Sequence, residues 1–385
     1  MLESWEKLPV LPSHLLAAST DRETREAFLT HPVGLGPYRL EQRRADGGVE
    51  LVAHTAYHRG VPEEGRLRYR RFASLESVLL ALRMGTLDAM EPDERFADWS
   101  ERHPGTVETL RDRPRFQHLV MWNLDRPPFD RLPVRNALAR AIDLSAILHD
   151  TRTEFQTPVK SLFFPGLPYV ADPMLLPLHD PRGAENLLEK EGYKLDEVAG
   201  LRKDGKGNAL GFTLAVNASN PEHLRLADAL ADQWAAVGLT VKIEPVPWEE
   251  LIATRILPRE FDAVLLSWEL PLGRDRREVW HSSAAVPGGG NLSGLRDTEV
   301  DRLLDRLRDE SDPVKLTETI STLQRSIASL QPALFLYDSG RILTVRKGGL
   351  EMKRPGVKTP GPLAIGKGGL EEVRPWWVRT KPEEP

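Results

Sequence analysis

The stretch that most constrains the fold lies in the middle of the 385-residue chain. Residues 211–217 (Gly-Phe-Thr-Leu-Ala-Val-Asn) form a short apolar run that reads as a buried strand. Asn220 follows as a helix N-cap, with Pro221 at the first helical position. Leu224, Ala227, Ala231 and Trp234 then recur at three- and four-residue spacing, with Leu230 and Val237 beside them, until Gly238 stops the helix. Val241 and Ile243 alternate with Thr240, Lys242 and Glu244, the period of a half-buried strand. A second helix over 248–257 leads to Phe261–Trp268, apolar enough for an inner strand. Strand, helix, strand, helix, strand in this order predicts an open α/β sheet with right-handed crossovers.

The flanks are more mixed. Residues 37–72 hold three strands joined by turns, and 74–84 read as a helix capped by Ser74 and ended by Gly85. Pro133 opens a long helix to about Asp150, with Val134, Leu138, Ala141 and Ile142 inward. Helices over 298–310 and 312–330 have cap candidates in Asp297 and in Ser311 or Asp312. Strands Ala333–Asp338 and Arg341–Arg346 follow, and the Pro-, Gly- and Lys-rich tail beyond Arg354 is expected to be irregular. Strands at both ends around an α/β middle predict one domain inserted in another.

Composition removes several functions. Cysteine is absent, which excludes disulfides, thiolate zinc sites, iron–sulfur clusters and cysteine nucleophiles. With 52 Lys+Arg against 57 Asp+Glu the net charge is -5, so nothing marks a nucleic-acid or anionic-membrane partner. Apolar runs fall short of the ~20 residues that span a bilayer. Met1–Lys7 lacks the basic and apolar regions of a signal peptide, and a soluble chain is expected.

Enzyme motifs are equally sparse. The chain has no G-x-S-x-G elbow, no H-E-x-x-H and no G-x-x-x-x-G-K-[ST] loop. Gly205-Lys206-Gly207 lacks the preceding strand of a dinucleotide fingerprint and reads as a β-turn, and Gly34-Leu35-Gly36 runs straight into Pro37. His54 and His58 would share a helix face, but they follow a strand, where four residues put them about 13 Å apart at ~3.3 Å each. No catalytic residue, metal site or cofactor is assigned. Gly288-Gly289-Gly290-Asn291 reads as a flexible loop. Trp268 stands out, because it ends an inner strand where open α/β sheets place their ligands.

In order, the segments resemble the family 5 extracellular solute-binding proteins, the dipeptide-, oligopeptide- and nickel-binding components of ABC importers. His31-Pro32-Val33-Gly34-Leu35-Gly36-Pro37-Tyr38 is similar to the family's P-V-G-T-G-P-Y. Leu79-Leu80-Ala81-Leu82-Arg83-Met84-Gly85-Thr86-Leu87-Asp88 resembles its A-L-x-x-G-E-I-D. Asn123–Asp130, Val134-Arg135-Asn136-Ala137-Leu138 and Ala141-Ile142-Asp143 resemble N-T-x-x-P-P-F-D, V-R-Q-A-L and A-I-D. Further on stand Asp180-Pro181, Glu191-Gly192-Tyr193, Asn291-Leu292-Ser293-Gly294 and Glu299–Leu304.

The resemblance implies a two-lobed α/β fold of the periplasmic-binding-protein type II class. Lobe I is expected over 1–116, lobe II over 117–338, and a return to lobe I with the tail over 339–385. Chain crossings are placed near Phe116–Asn123 and Ala333–Ser339. Family members are longer at the N-terminus, so the first lobe is expected to be incomplete, with exposed sheet edge that needs a missing segment or self-association. The function implied is non-enzymatic binding of a peptide-like or other small organic solute by lobe closure, with ABC permease subunits as partners, in the periplasm or at the cell surface. The alternative is a ligand-sensing module of a cytoplasmic transcription regulator. The residues expected at the ligand are Trp268 as an apolar platform, Glu269 and Asn291 as polar contacts, and Trp122, Asn123 and Tyr337 near the crossings. Peptide binders of the family have an Asp three positions after the Trp matched by Trp268, holding the peptide's α-ammonium. Here that position is Pro271. Leaving a buried ammonium unpaired costs about 2–5 kcal/mol, a factor of roughly 30 to several thousand in affinity, which disfavours free-amine peptides.

Overall fold

The computed structural model describes residues 22–91, 105–111, 116–150, 156–164, 167, 169, 170, 172–270, 273–340, 342–348, 350–352 and 377–379. The chain forms two compact units, one from Met1–Arg113 with Arg341–Pro385 and one from Pro114–Gly340.

Among the described residues, the first unit opens with helix α1 (Arg22–Thr30). An antiparallel sheet of β1 (Tyr38–Arg43), β2 (Val49–Ala53) and β3 (Arg66–Tyr69) follows in that order. Helix α2 (Leu75–Arg83) has the cap its sequence predicts: the Ser74 side chain accepts from the Ser77 N–H, and Gly85 follows at φ 69°. Two strands, β4 (Ala89–Met90) and β5 (Val107–Arg111), complete the N-terminal part.

The second unit is a three-layer α/β/α sandwich. Its strands are β6 (Phe116–Trp122), β7 (Gln156–Pro158), the hairpin β8 (Lys194–Asp196) and β9 (Leu201–Lys203), then β10 (Gly211–Asn217), β11 (Thr240–Val246), β12 (Ala263–Glu269) and β13 (Ala333–Ser339). The main sheet runs β11-β10-β12-β6-β13-β7. The middle of the chain supplies its parallel part, since β10 pairs in parallel with both β11 and β12, and β6 then lies antiparallel between β12 and β13. Phe116–Trp122 and Ala333–Ser339, expected as chain crossings, are thus neighbouring paired strands.

Helices α3 (Leu132–Arg140), α4 (Leu144–Asp150), α5 (Pro181–Lys190) and α6 (Pro221–Ala236) cover one face. On it Val120, Trp122, Leu214, Val216, Ala263 and Leu265 meet Leu138, Leu188, Leu230 and Trp234. The short helices α7 (Trp248–Leu251) and α8 (Arg277–Trp280) join α9 (Thr298–Asp309) and α10 (Pro313–Leu330) on the other. There the alternate strand residues Leu119, Met121, Val264, Leu266 and Phe335 meet Trp280, Leu304, Ile320 and Ile327. Period-two alternation sends each strand's apolar residues to both faces, which is why these strands read as nearly continuous apolar runs.

The long helix expected from Pro133 to Asp150 is two. Asp143 starts the second: its Oδ1 accepts from the Ala146 N–H, while its own N–H donates to Gln233 of α6. Buried Arg135 ties α3 to the end of α10, donating to the carbonyls of Leu330, Gln331 and Phe129. Its guanidinium therefore satisfies helix-end acceptors that the chain leaves without N–H partners.

Beyond Gly340 the chain rejoins the first unit as β14 (Ile342–Arg346), between β4 and β5. The tail expected to be irregular contains one short strand, β16 (Trp377–Arg379), paired with β15 (Leu350–Met352); backbone pairing there outweighs the scarcity of local signals. The rest of that tail lies outside the described residues.

Candidate functional site

The β6–β12 register divides the predicted ligand residues between the two ends of the second unit's sheet. Trp268 stands opposite Gln117 and Glu269 opposite Phe116, whereas Trp122 stands opposite Ala263. Six residues of strand separate the two ends, about 20 Å at ~3.3 Å per residue.

At the first end lie the carboxyl termini of β10, β12 and β13 and the start of β6. Trp268 is half-buried, its ring edge-to-face with buried Trp280 (centroids 5.7 Å, 79°), and Trp280 in turn packs on Phe335. A Trp supported in this way loses little freedom on binding and offers a rigid apolar surface. Ser267 and Glu269 on either side are exposed.

Behind this edge is a buried polar network. His118 Nδ1 lies 3.1 Å from His223 Nε2, and His118 Nε2 lies 2.8 Å from Ser339 Oγ. The His118 ring stacks on Tyr337 (4.2 Å, 21°). The Tyr337 hydroxyl donates to Glu222 Oε1 at 2.7 Å, and Gln156 donates to the same oxygen. Burial, with the His223 ring nearby, pushes the His118 pKa down to about 3, and burial alone brings His223 to about 4, so both imidazoles are neutral at neutral pH. Burial raises the Tyr337 phenol well above its ordinary range. On the opposite face Gln117 donates to the Ser161 carbonyl (2.9 Å) and to Asp338 Oδ1 (3.1 Å), and burial raises Asp338 to about 6. Tyr337, expected near the chain crossing, is 1% exposed in this structure, with its hydroxyl and ring both engaged in this network.

The other end of the sheet holds the remaining three. Trp122 is fully buried, stacked on Phe129 (4.8 Å, 12°), with its indole N–H lacking an acceptor among the described residues. Asn123 donates to the carbonyls of Arg259 (3.0 Å) and Phe261 (2.9 Å). Asn291 donates to the carbonyls of His281 and Leu295 and accepts from Ser293. Arg259, buried and left-handed at φ 60°, pairs with Asp125 at 2.9 Å over Gly294. In this structure Trp122, Asn123 and Asn291 are committed to packing and loop closure, because each buried polar atom that finds a partner finds it in a neighbouring loop.

Sequence reasoning passed over His118, Glu222 and His223. The signal was present for His223, which precedes Leu226, Ala227 and Leu230 at inward helical spacing and is buried with them. For His118 it was the alternation with Val120 and Trp122 on one face of β6. Among the described residues no group of three or more His, Asp or Glu is arranged to hold a metal ion.

Comparison with known proteins agrees with this architecture. The chain is 25% identical over 335 residues to the oligopeptide-binding protein AppA of Bacillus subtilis, covering 85% of this chain and 61% of AppA. It is 27% identical over 283 residues to heme-binding protein A of Haemophilus influenzae, covering 73% of this chain and 50% of that protein. The chain thus spans about half to three fifths of these relatives' length. Among solved structures, NikZ from Campylobacter jejuni in complex with Ni(L-His) superposes with a TM-score of 0.73 at 22% identity, over 96% of this chain and 72% of NikZ. The B. subtilis AppA complex with a nonapeptide gives 0.70 at 21% identity, over 97% of this chain and 72% of AppA. These likenesses show the fold, a type II periplasmic-binding-protein architecture. The family model for the middle part of the bacterial extracellular solute-binding proteins, family 5, matches residues 3–280. The chain belongs to that family.

Proposed function

We propose that the chain is the solute-binding component of an ABC importer, taking up a peptide-like or other small organic solute outside the cytoplasm by lobe closure and passing it to permease subunits. The reading makes the protein a binder and not an enzyme. The observation that carries it is the coincidence of family membership with a supported, half-buried Trp268 at the carboxyl ends of β10 and β12, where open α/β sheets take their ligands.

In this reading Trp268 is the apolar platform and Glu269 a polar contact, while Tyr337, with His118 and His223, stiffens the edge behind them. Trp122, Asn123 and Asn291 serve the site only by fixing the far ends of β6 and β12. Pro271, which lies outside the described residues, stands where peptide-binding relatives are expected to have their ammonium-holding Asp, so solutes without a free α-amine are favoured. Binding stabilises the closed state only by its differential affinity for it.

The test starts by denaturing the purified protein, identifying any released small molecule by mass and titrating it back by tryptophan fluorescence. Trp268→Ala is expected to weaken binding by more than about tenfold, which corresponds to 1.4 kcal/mol. An unchanged dissociation constant removes Trp268 from the site.

A further inference from the structure

Strands β11, β10 and β12 end side by side at the edge that holds Trp268. Strand β10 pairs in parallel with β11 through Asn217↔Val246 and with β12 through Val216↔Leu265, and the Ala218 N–H still donates to the Val246 carbonyl at 2.8 Å. Continued by two and by three residues, these registers set Trp248 and Trp268 level with each other, one on each side of Ser219. Neighbouring strands lie about 4.8 Å apart, so the two positions are separated by about 9.6 Å. Trp268 packs on the face of the sheet that α7 covers, and Trp248 is the first residue of α7, so both stand on one side of the sheet. Trp248 is 41% exposed and lies outside both core clusters of this unit. Ala218 and Ser219, the floor between the two, are small and exposed.

One exposed apolar side chain needs no explanation, but two indoles level across a shallow floor make a slot, and charge defines what it takes. The strand ends 217–222, 246–250 and 266–270 contain Glu222, Glu249, Glu250 and Glu269 and no Lys or Arg. Each of the two Trp residues is followed directly by a Glu. The next cation after Glu249 and Glu250 in the chain, Arg255, pairs with Glu244 at 2.9 Å instead. A cation held midway between the indoles lies about 4.8 Å from each, inside the ~6 Å reach of a cation–π contact. The acceptors decide its kind. Asn217 and Asn220 commit their side-chain oxygens to the Ser219 and His223 N–H groups, and Glu222 Oε1 accepts from Tyr337 and Gln156. A primary ammonium brings three N–H donors to this floor and finds little to accept them, whereas a quaternary one brings none.

On the reading that the Trp268 edge takes the solute, we infer that Trp248 and Trp268 form a two-indole slot for a quaternary ammonium group. The solute is then an organic cation with a fully alkylated nitrogen, held by aromatic faces and the surrounding negative charge rather than by hydrogen bonds to that nitrogen.

The probes are choline, its uncharged tert-butyl analogue in which carbon replaces the nitrogen, and ethanolamine, its primary-amine counterpart. Each is titrated by calorimetry into the full chain, refolded free of any carried solute. Choline is expected to bind with a dissociation constant below about 1 mM, and the other two at least about tenfold more weakly. Trp248→Ala is expected to weaken choline binding by about tenfold at unchanged circular dichroism, and Trp248→Phe, which keeps an aromatic face, by about threefold or less. Absence of choline binding at about 1 mM, equal affinity for the tert-butyl analogue, tighter binding of ethanolamine, or unchanged choline affinity in Trp248→Ala overturns the inference. A released native solute that has no quaternary nitrogen, yet is lost in Trp268→Ala, overturns the ammonium slot and leaves the solute site standing. A native solute held equally well by Trp268→Ala strikes the site itself.

Discussion

Two imidazoles buried without charge make a specific demand on stability as the pH falls. His118 and His223 titrate near 3 and 4 in the folded chain and near 6.5 when unfolded. Between those values the unfolded chain binds more protons, so stability present above pH 6.5 is lost as the pH drops. Each unit of pH is worth 1.36 kcal/mol per group, so at about pH 5 each histidine has cost about 2 kcal/mol and the pair about 4. The exact folded values hardly matter, provided both lie below the pH of the measurement. Asp338 acts in the opposite sense: its folded value, about 6 against 3.8, gives stability that is present at low pH and lost as pH rises through 6. Over the same interval it returns about 1.5 kcal/mol.

Urea denaturation at about pH 8 and about pH 5 reads the difference directly. The double variant His118→Gln with His223→Gln is expected to lose about 4 kcal/mol of the pH dependence, whatever its absolute stability. Asp338→Asn, which removes the opposing group, is expected to steepen the dependence by about 1.5 kcal/mol. A double variant with the native pH slope would falsify the assignment of neutral, buried imidazoles behind the site.

Two further substitutions test the scaffold. Gly294→Ala places a Cβ 2.1 Å from Arg259 Nη2 and 2.9 Å from Asp125 Oδ2 at φ 73°, and is expected to cost about 2–4 kcal/mol in chemical denaturation, the left-handed backbone alone accounting for 1–2. A change under about 0.5 kcal/mol, the usual surface value, would contradict the close packing of that loop. Arg135→Met leaves the carbonyls of Phe129, Leu330 and Gln331 without their shared donor and is expected to cost about 3 kcal/mol or more; a neutral outcome would mean that water replaces the guanidinium.

Legibility followed how local each signal was. The β10-α6-β11 segment was readable to within a residue or two, because Asn220, Pro221, Gly238 and the apolar spacing all act within one element. The break at Asp143 was not, since its N–H is taken by Gln233, 90 residues away. The place of Trp268 at the carboxyl end of an inner strand was legible from the apolar run Phe261–Trp268. Asn123 and Asn291 carried family motifs, but nothing local foretold their hydrogen bonds to the carbonyls of Arg259, Phe261 and His281, which only the fold brings within reach. The expectation for Tyr337 missed Glu222 and His118 for the same reason.

The central claim, that this chain holds a small organic solute at the Trp268 edge, is tested most directly by native mass spectrometry of the purified protein and its Trp268→Ala variant. The account predicts an ion heavier than the bare sequence by one small organic molecule, released on activation and lost in the variant. Ions at the bare sequence mass for both proteins, unchanged after incubation with an extract of small solutes, would contradict it.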